Sequence, residues 1–72
     1  MKTYTIKMIW DKSIWIARCE DLGITLEAGS FDALIERVKI AAPEMSELNH
    51  NHTGEIELNF VTQRKDMLRT TA

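Results

Sequence analysis

The stretch Trp10-Asp11-Lys12-Ser13-Ile14-Trp15-Ile16-Ala17-Arg18-Cys19 decides the fold of this chain. It reads as a polar, turn-prone segment followed by a β-strand. The apolar side chains of that strand alternate between two faces, with Trp15, Ala17 and Cys19 on one face and Ile14 and Ile16 on the other. A strand that is apolar on both faces is typical of the middle of a sheet that is covered on both sides.

The chain is too short to cover both faces of such a sheet. Its 72 residues make one domain, and they contain a single convincing pattern for a helix. One helix covers one face. We therefore expect the second face to lie against another protein, most simply a second copy of this chain, because oligomerisation adds buried apolar area without adding chain length.

Composition argues against several classes of protein. The net charge of −2 provides no basic surface for nucleic acid. Cys19 is the single cysteine, so an internal disulfide is excluded, and a reduced compartment is expected. A secretory signal is not expected, because the chain does not start with basic residues followed by an apolar run. A membrane span is not expected either, because no apolar run approaches the roughly 20 residues that span a bilayer. The expected location is the cytoplasm.

The first strand alternates from Thr3 to Trp10, and the loop that follows it sets the hairpin register. A three-residue loop would turn Arg18 towards the core, where an unpaired charge is costly. We therefore predict a loop of two or four residues. The outer face of the hairpin then carries Thr5, Lys7, Ile9, Ile14, Ile16 and Arg18.

Glu20–Gly23 predicts a second turn, and the alternation of residues 24–28 predicts a third strand that Gly29 ends. Ser30 is a good N-cap, and Asp32 suits the first turn of a helix. The helical stripe comprises Phe31, Leu34, Ile35, Val38, Ala41, Ala42, Met45 and Leu48. Because proline disrupts a regular helix, we predict a helix from about residue 31 to 42 and a kink or restart at Pro43, continuing to about residue 48.

Residues 49–54 read as a polar loop, and residues 55–62 read as a fourth strand with Ile56, Leu58 and Phe60 on its core face. The predicted fold is therefore α+β, with the order β-β-β-α-β and a four-stranded mixed sheet carrying one helix on one face. Because the fourth strand follows a helical crossover, it should run parallel to the first or the third strand. We predict a single domain over residues 1–62 and a tail over residues 63–72 that forms a short helical turn or is disordered.

Several short motifs in this order resemble HicB-like antitoxin domains. They are Ile14-Trp15-Ile16-Ala17, Asp21-Leu22-Gly23, Thr25 and Ser30-Phe31-Asp32-Ala33-Leu34. Trp10-Asp11 at the end of the first strand and Pro43-Glu44 in the helix are similar to short, uncharacterised single-domain bacterial relatives, a domain of unknown function. The resemblance extends from Tyr4 to about Asn49.

The resemblance implies a partial ribonuclease-H-like core, bacterial origin, dimerisation and neutralisation of a small RNA-cleaving toxin by direct binding. Two features depart from the family pattern. The turn lacks a proline between Leu22 and Gly23, and only ten residues follow Thr62, so a separate DNA-binding segment is not expected.

The sequence signals for a catalytic site and for a metal site are weak. A ribonuclease-H-type nuclease needs clustered carboxylates that bind divalent metal, whereas Asp11, Glu20, Asp21 and Glu27 are spread over turns and a strand. His50 and His52 form His-x-His, but further ligands for a structural zinc site are not evident. We predict no catalytic site, no metal site and no cofactor, and we do not expect the chain to be an enzyme.

The remaining candidates favour structural roles. Cys19 is expected to be a small buried hydrophobe, and Trp10 and Trp15 are expected to pack in the core, since no basic groove accompanies them for base stacking. The cations of the tail, Arg64, Lys65 and Arg69, are a weak signal for phosphate contacts and assign no nucleic-acid-binding residue.

The predicted interface consists of Ile9, Ile14, Ile16, Arg18 and Lys7. We expect a non-enzymatic protein-interaction module, similar to an antitoxin, that forms a homodimer through a face or an edge of the sheet. The other partner considered is a small basic toxin protein, and neither a membrane nor a nucleic acid is an expected partner. The alternative is an RNA-binding or degenerate nuclease-like small domain.

Overall fold

The computed structural model describes residues 1–63 and 68–70. These residues form β1 (Lys2–Asp11), β2 (Ile14–Cys19), β3 (Ile24–Ala28), α1 (Phe31–His50) and β4 (Ile56–Gln63). The sheet is mixed and four-stranded, with the order β3-β2-β1-β4. The predicted α+β class and the order β-β-β-α-β are therefore confirmed. No helix within the described residues has both the length and the apolar character needed to cross a membrane.

The hairpin between β1 and β2 has the predicted even loop. Asp11 pairs with Ile14, so Lys12 and Ser13 alone make the turn. Lys12 has a φ of 63°, in the left-handed region that two-residue hairpin loops commonly require. This register places Met8 opposite Ala17 in the core and leaves Arg18 exposed on the other face, as the cost of burying an arginine predicts.

β4 runs parallel to β1 and lies on the opposite edge of the sheet from β3. The sequence left two parallel partners open, β1 and β3, and the structure selects β1. Tyr4 pairs with Leu58 and Ile6 with Phe60, so the apolar face of β4 continues the core face of β1. β4 begins and ends one residue later than the predicted strand over residues 55–62.

α1 continues through Pro43, so the predicted restart at that residue does not occur. It includes Pro43 as an interior residue and ends at His50, so the predicted end at residue 48 was wrong. The missing N–H of proline leaves the Lys39 carbonyl without its helical donor. Both residues lie on the exposed side of α1, where solvent can hydrate that carbonyl, and so the helix tolerates the proline.

A side chain caps the start of α1, and a backbone N–H caps its end. The Oγ atom of Ser30 accepts a hydrogen bond from the Ala33 N–H over 3.2 Å, as the predicted N-cap requires. At the other end Asn51 adopts a φ of 51°, and its N–H donates to the Glu47 carbonyl over 3.0 Å. Asparagine tolerates this left-handed conformation better than most residues, so Asn51 was the available signal for the true end of the helix.

The buried side of α1 is partly polar, which the apolar stripe did not predict. Leu48, which was assigned to the stripe, is 74% exposed, because it lies about 100° around the helix from the centre of the buried arc. Ser46 is completely buried instead, and its hydroxyl is hydrogen-bonded to the Tyr4 hydroxyl over 2.8 Å. Asn49 faces the turn after β2, where its Nδ2 donates to the Leu22 carbonyl over 3.0 Å.

The core lies between α1 and the strands β1, β2 and β3. Its buried hydrophobic residues are Tyr4, Ile6, Met8, Ala17, Cys19, Leu22, Ile24, Ala28, Leu34, Val38 and Ala42. Cys19 is buried in this core, as predicted for a small hydrophobe. The tail prediction covers residues 63–72. Gln63 belongs to β4, residues 68–70 have no regular secondary structure, and residues 64–67 and 71–72 lie outside the described residues.

Tyr4 and Ser46 should be energetically coupled through the hydrogen bond between their hydroxyl groups. Tyr4→Phe or Ser46→Ala alone leaves one buried hydroxyl without a partner and should lower the free energy of unfolding by about 1–2 kcal/mol. The double variant should lose less than the sum of the two single losses, because neither polar group remains. Urea unfolding of the four proteins measures this coupling, and strictly additive losses would contradict it.

Candidate functional site

The outer face is the side of the sheet opposite α1, and the strand register determines which residues share it. Ile9 on β1 lies directly opposite Ile16 on β2, and Ile14 lies one position further along β2, opposite Asp11. The three isoleucines are half-buried. No element within residues 1–63 and 68–70 lies over this face, since α1 packs on the other side against β3 and β2.

Charged side chains flank the isoleucines in an ordered way. Lys7 and Arg18 are directly opposite each other on β1 and β2, and both are exposed. On the other side of the Ile9–Ile16 pair lies Asp11, and Glu27 on β3 is the neighbour of Ile16. The outer face therefore has cations at one end and carboxylates at the hairpin end and on the β3 side.

Within the part of the chain that the structure describes, none of these four charges forms a salt bridge. The one ion pair found there joins Lys39 to Glu36 on α1, with an N···O distance of 3.3 Å. Like charges directly opposite each other on a sheet are destabilising. The Lys7–Arg18 pair therefore places an unfavourable interaction beside the apolar patch, which a carboxylate from outside the chain could relieve.

An open groove of about 320 Å³ lies at the cationic end of the outer face. It is lined by Thr3, Thr5, Lys7, Arg18, Cys19, Glu20 and Asp21. Cations and carboxylates both line it, and no buried side-chain nitrogen or oxygen within the described residues lacks a hydrogen-bond partner. Nothing in the groove is therefore built to hold a ligand of one charge.

The candidate carboxylates do not converge. Asp11 ends β1, Glu20 and Asp21 lie in the turn after β2, and Glu27 lies on β3, two strands away from Asp11. Residues 1–63 and 68–70 contain no group of three or more histidine, cysteine, aspartate or glutamate side chains placed to hold a metal ion.

The two histidines are engaged with separate parts of the backbone. His50 belongs to the last turn of α1 and not to the predicted loop, and its Nε2 lies 2.6 Å from the Asp21 carbonyl oxygen. The Nε2 atom of His52 lies 3.0 Å from the Glu55 carbonyl oxygen. His50 thus links the end of α1 to the turn before β3. His52 links the loop after α1 to the residue before β4.

Both tryptophans lie on the helix side of the hairpin. Trp15 packs against the core as predicted, whereas the prediction of a core position was wrong for Trp10, which is exposed. The ring centroids of Trp10 and Trp15 are 5.3 Å apart, and Trp15 packs edge-on against Phe31 with a centroid distance of 4.9 Å. Trp10 remains 38% exposed at the end of this row. Of the tail cations, Arg69 is exposed, and Arg64 and Lys65 lie outside the described residues.

The structure adds β4 to the outer face. Thr5 pairs with Asn59, Lys7 with Val61 and Ile9 with Gln63, so the side chains of Asn59, Val61 and Gln63 share the face of the predicted interface residues. Alternation along the predicted fourth strand already put Asn59 and Val61 on the face opposite the core, but it could not place them beside β1, because it did not decide between β1 and β3 as the neighbour of β4. Asp11 was assigned to the turn, although its pairing with Ile14 puts it on the face.

Two matched lysine substitutions should change the free energy of unfolding in opposite directions, one on the outer face and one at a surface ion pair. Lys7→Gln removes the repulsion with Arg18 and should raise the free energy of unfolding by a few tenths of a kcal/mol at low salt. Lys39→Gln removes the attraction to Glu36 and should lower it by a similar amount. Both differences should shrink with added salt in urea titrations at concentrations where the chain is monomeric. If both substitutions changed the free energy of unfolding in the same direction, the repulsion between Lys7 and Arg18 would be contradicted.

Comparison with known proteins adds a family and a structural neighbour. The crystal structure of a hypothetical protein, TTHA1013, from the extremely thermophilic bacterium Thermus thermophilus matches with a TM-score of 0.75 and 24% sequence identity, covering 93% of this chain and 100% of that chain. At this identity the match shows the shared fold. The comparison with curated proteins found no match. The family model described as "Domain of unknown function (DUF1902)" matches residues 3–72, and the chain therefore belongs to that family.

Proposed function

We propose that this chain is a bacterial, cytoplasmic protein-interaction module without enzymatic activity, and that it forms a homodimer through the outer face. The observation that carries the proposal is the row of Ile9, Ile14 and Ile16 on a sheet face that no described element covers. The dispersed carboxylates support the non-enzymatic part, since metal-dependent RNA cleavage needs converging acidic ligands.

A two-fold axis can be placed to suit the residues that β1 contributes to this face, although it also sets Glu27 of β3 over its own copy. We place the axis in the plane of the interface, across the strands, at the level of the Ile9–Ile16 pair. Rotation about it sets each isoleucine of that pair over its own copy. It also sets Lys7 over Asp11 of the second copy, because these residues lie on β1 at equal distances on either side of Ile9. Sheets that pack face to face are about 10 Å apart, a gap that a lysine and an aspartate side chain can bridge.

The size of the face sets the strength of the proposed dimer. Four strands spaced about 4.8 Å apart, each about 17 Å long, give a flat face of roughly 300 Å² per copy. At about 25 cal/mol per Å² its apolar part contributes several kcal/mol before the costs of association. Standard interfaces bury about 800 Å² per partner, so we expect this dimer to be weak and dependent on concentration.

The finer proposal is an antitoxin-like role. It rests on the resemblance of the hairpin, the Asp21-Leu22-Gly23 turn and the Ser30-capped helix to HicB-like antitoxin domains. The confirmed strand and helix order is the one that this resemblance implies. The net charge of −2 and a sequence pI of about 5.6 suit a small basic partner such as an RNA-cleaving toxin.

A pair of isoleucine-to-lysine variants tests the outer face. Ile16→Lys places a charge at the centre of the proposed interface and should weaken self-association at least tenfold. Ile40→Lys is the matched control, because Ile40 is 69% exposed on the solvent side of α1 and should leave the association unchanged. Light scattering over a concentration series measures both. An Ile16→Lys protein with the mass profile of the parent would overturn the proposed dimer.

The antitoxin-like role can be tested against the RNA-binding alternative in one set of titrations. The alternative is favoured by the two cations, Lys7 and Arg18, beside the polar groove. Our proposal expects no binding of short single-stranded RNA at low salt. It expects a stable complex with, and inhibition of, a small basic ribonuclease encoded by a neighbouring reading frame. Salt-sensitive RNA binding that Lys7→Gln weakens would favour the alternative.

A further inference from the structure

The two edges of the sheet differ in how far they are protected. β3 is the shorter edge strand, with 5 residues, and the side chain of Arg37 reaches it from α1. The Nη1 atom of Arg37 donates a hydrogen bond to the Glu27 carbonyl over 2.9 Å. A short edge whose backbone acceptor is occupied by a cationic side chain resists pairing with another strand.

β4 is the longer edge strand, with 8 residues, and it has no such protection within the described residues. No side chain among residues 1–63 and 68–70 is hydrogen-bonded to the backbone of Ile56–Gln63. No described residue therefore prevents the outward N–H and C=O groups of β4 from pairing with a further strand.

The apolar face of β4 is also incompletely covered. Ile56, Leu58 and Phe60 point to the helix side of the sheet, but α1 packs against β3 and β2. These three side chains are consequently half-buried, whereas their neighbours Tyr4 and Ile6 on β1 are completely or almost completely buried. A strand added beside β4 would extend this apolar face and cover the free flank.

From these observations we propose that β4 pairs antiparallel with β4 of a second copy, with the two-fold axis at Asn59, which joins two sheets into one of eight strands. This contact is separate from the outer face and goes beyond the function proposed above. We infer a second copy as the partner because β4 of that copy would bring an unpaired edge and three apolar side chains on one face, which match the same features of the first copy.

The register follows from side-chain pairing. With the axis at Asn59, Leu58 lies beside Phe60 of the second copy, and all three apolar residues fall within the paired stretch of residues 56–62. Glu57 then lies beside Val61 of the second copy. An axis at Leu58 would set Ile56 beside Phe60 but would pair only residues 56–60. An axis at Glu57 would oppose two carboxylates, and an axis at Phe60 would leave Ile56 without an opposite residue in the strand.

Charged variants at the axis test this register, because a residue on the axis faces its own copy. Asn59 is exposed, so Asn59→Lys and Asn59→Glu should fold normally, as circular dichroism can verify. Each variant alone opposes two like charges and should weaken association through β4 about fivefold, whereas an equimolar mixture should recover the affinity of the parent or exceed it. Thr25→Lys and Thr25→Glu, at an exposed position on the outer face of the protected edge strand β3, are the matched controls and should show neither effect.

The measurement is best made in the Ile16→Lys background, where the outer face is disabled. Sedimentation equilibrium should show a monomer–dimer equilibrium in which the dissociation constant responds to the charge at residue 59. A strictly monomeric Ile16→Lys protein, or mixed variants that associate no better than either variant alone, would overturn the β4 contact. If Ile16→Lys leaves self-association unchanged while the mixture still recovers affinity, the proposed outer-face dimer fails and the β4 contact stands.

Discussion

A sheet has two faces, and this chain has one helix to cover them. That constraint governs the rest of the structure. The helix occupies the side on which Ala17 and Cys19 of β2 are buried, and the isoleucines of the same strand are left on the other side. Burial of apolar area is the main driving force of folding, and the half-buried isoleucines of this central strand contribute less of it than the buried residues on the helix side.

The helix is held in place by specific polar contacts as well as by apolar packing. Ser46 meets the Tyr4 hydroxyl near the C-terminal end of the helix, and Asn49 and His50 bind carbonyls of the turn between β2 and β3. Arg37 fixes the helix to the edge strand β3. These contacts set α1 over β3 and β2, and that position explains why the apolar face of β4 is only half-covered.

Features of the fold that depend on local chemistry could be predicted from the sequence. The even hairpin loop followed from the cost of burying Arg18, and the helix start followed from Ser30. The neighbour of β4 could not be predicted, because alternation along one strand does not identify its partner. Leu48 was misplaced for a similar reason. The pattern treats any leucine near the stripe as buried, whereas Ser46 takes a buried position, where its hydroxyl finds a hydrogen-bond partner.

The same limit applies to the candidate site. Ile9, Ile14, Ile16, Lys7 and Arg18 share one face as the hairpin register predicts, whereas the contributions of β3 and β4 to that face depend on long-range pairing. Association between chains decides what occupies the face. The proposal therefore depends on whether atoms of a second copy approach the isoleucines.

An isotope-filtered NMR experiment on a mixture of copies with ¹³C-labelled isoleucine methyl groups and unlabelled copies measures this approach directly. The account predicts nuclear Overhauser effects between copies at the methyl groups of Ile9 and Ile16, growing with protein concentration. Methyl groups of these residues that show contacts only within their own copy, at concentrations where the protein is associated, would contradict it.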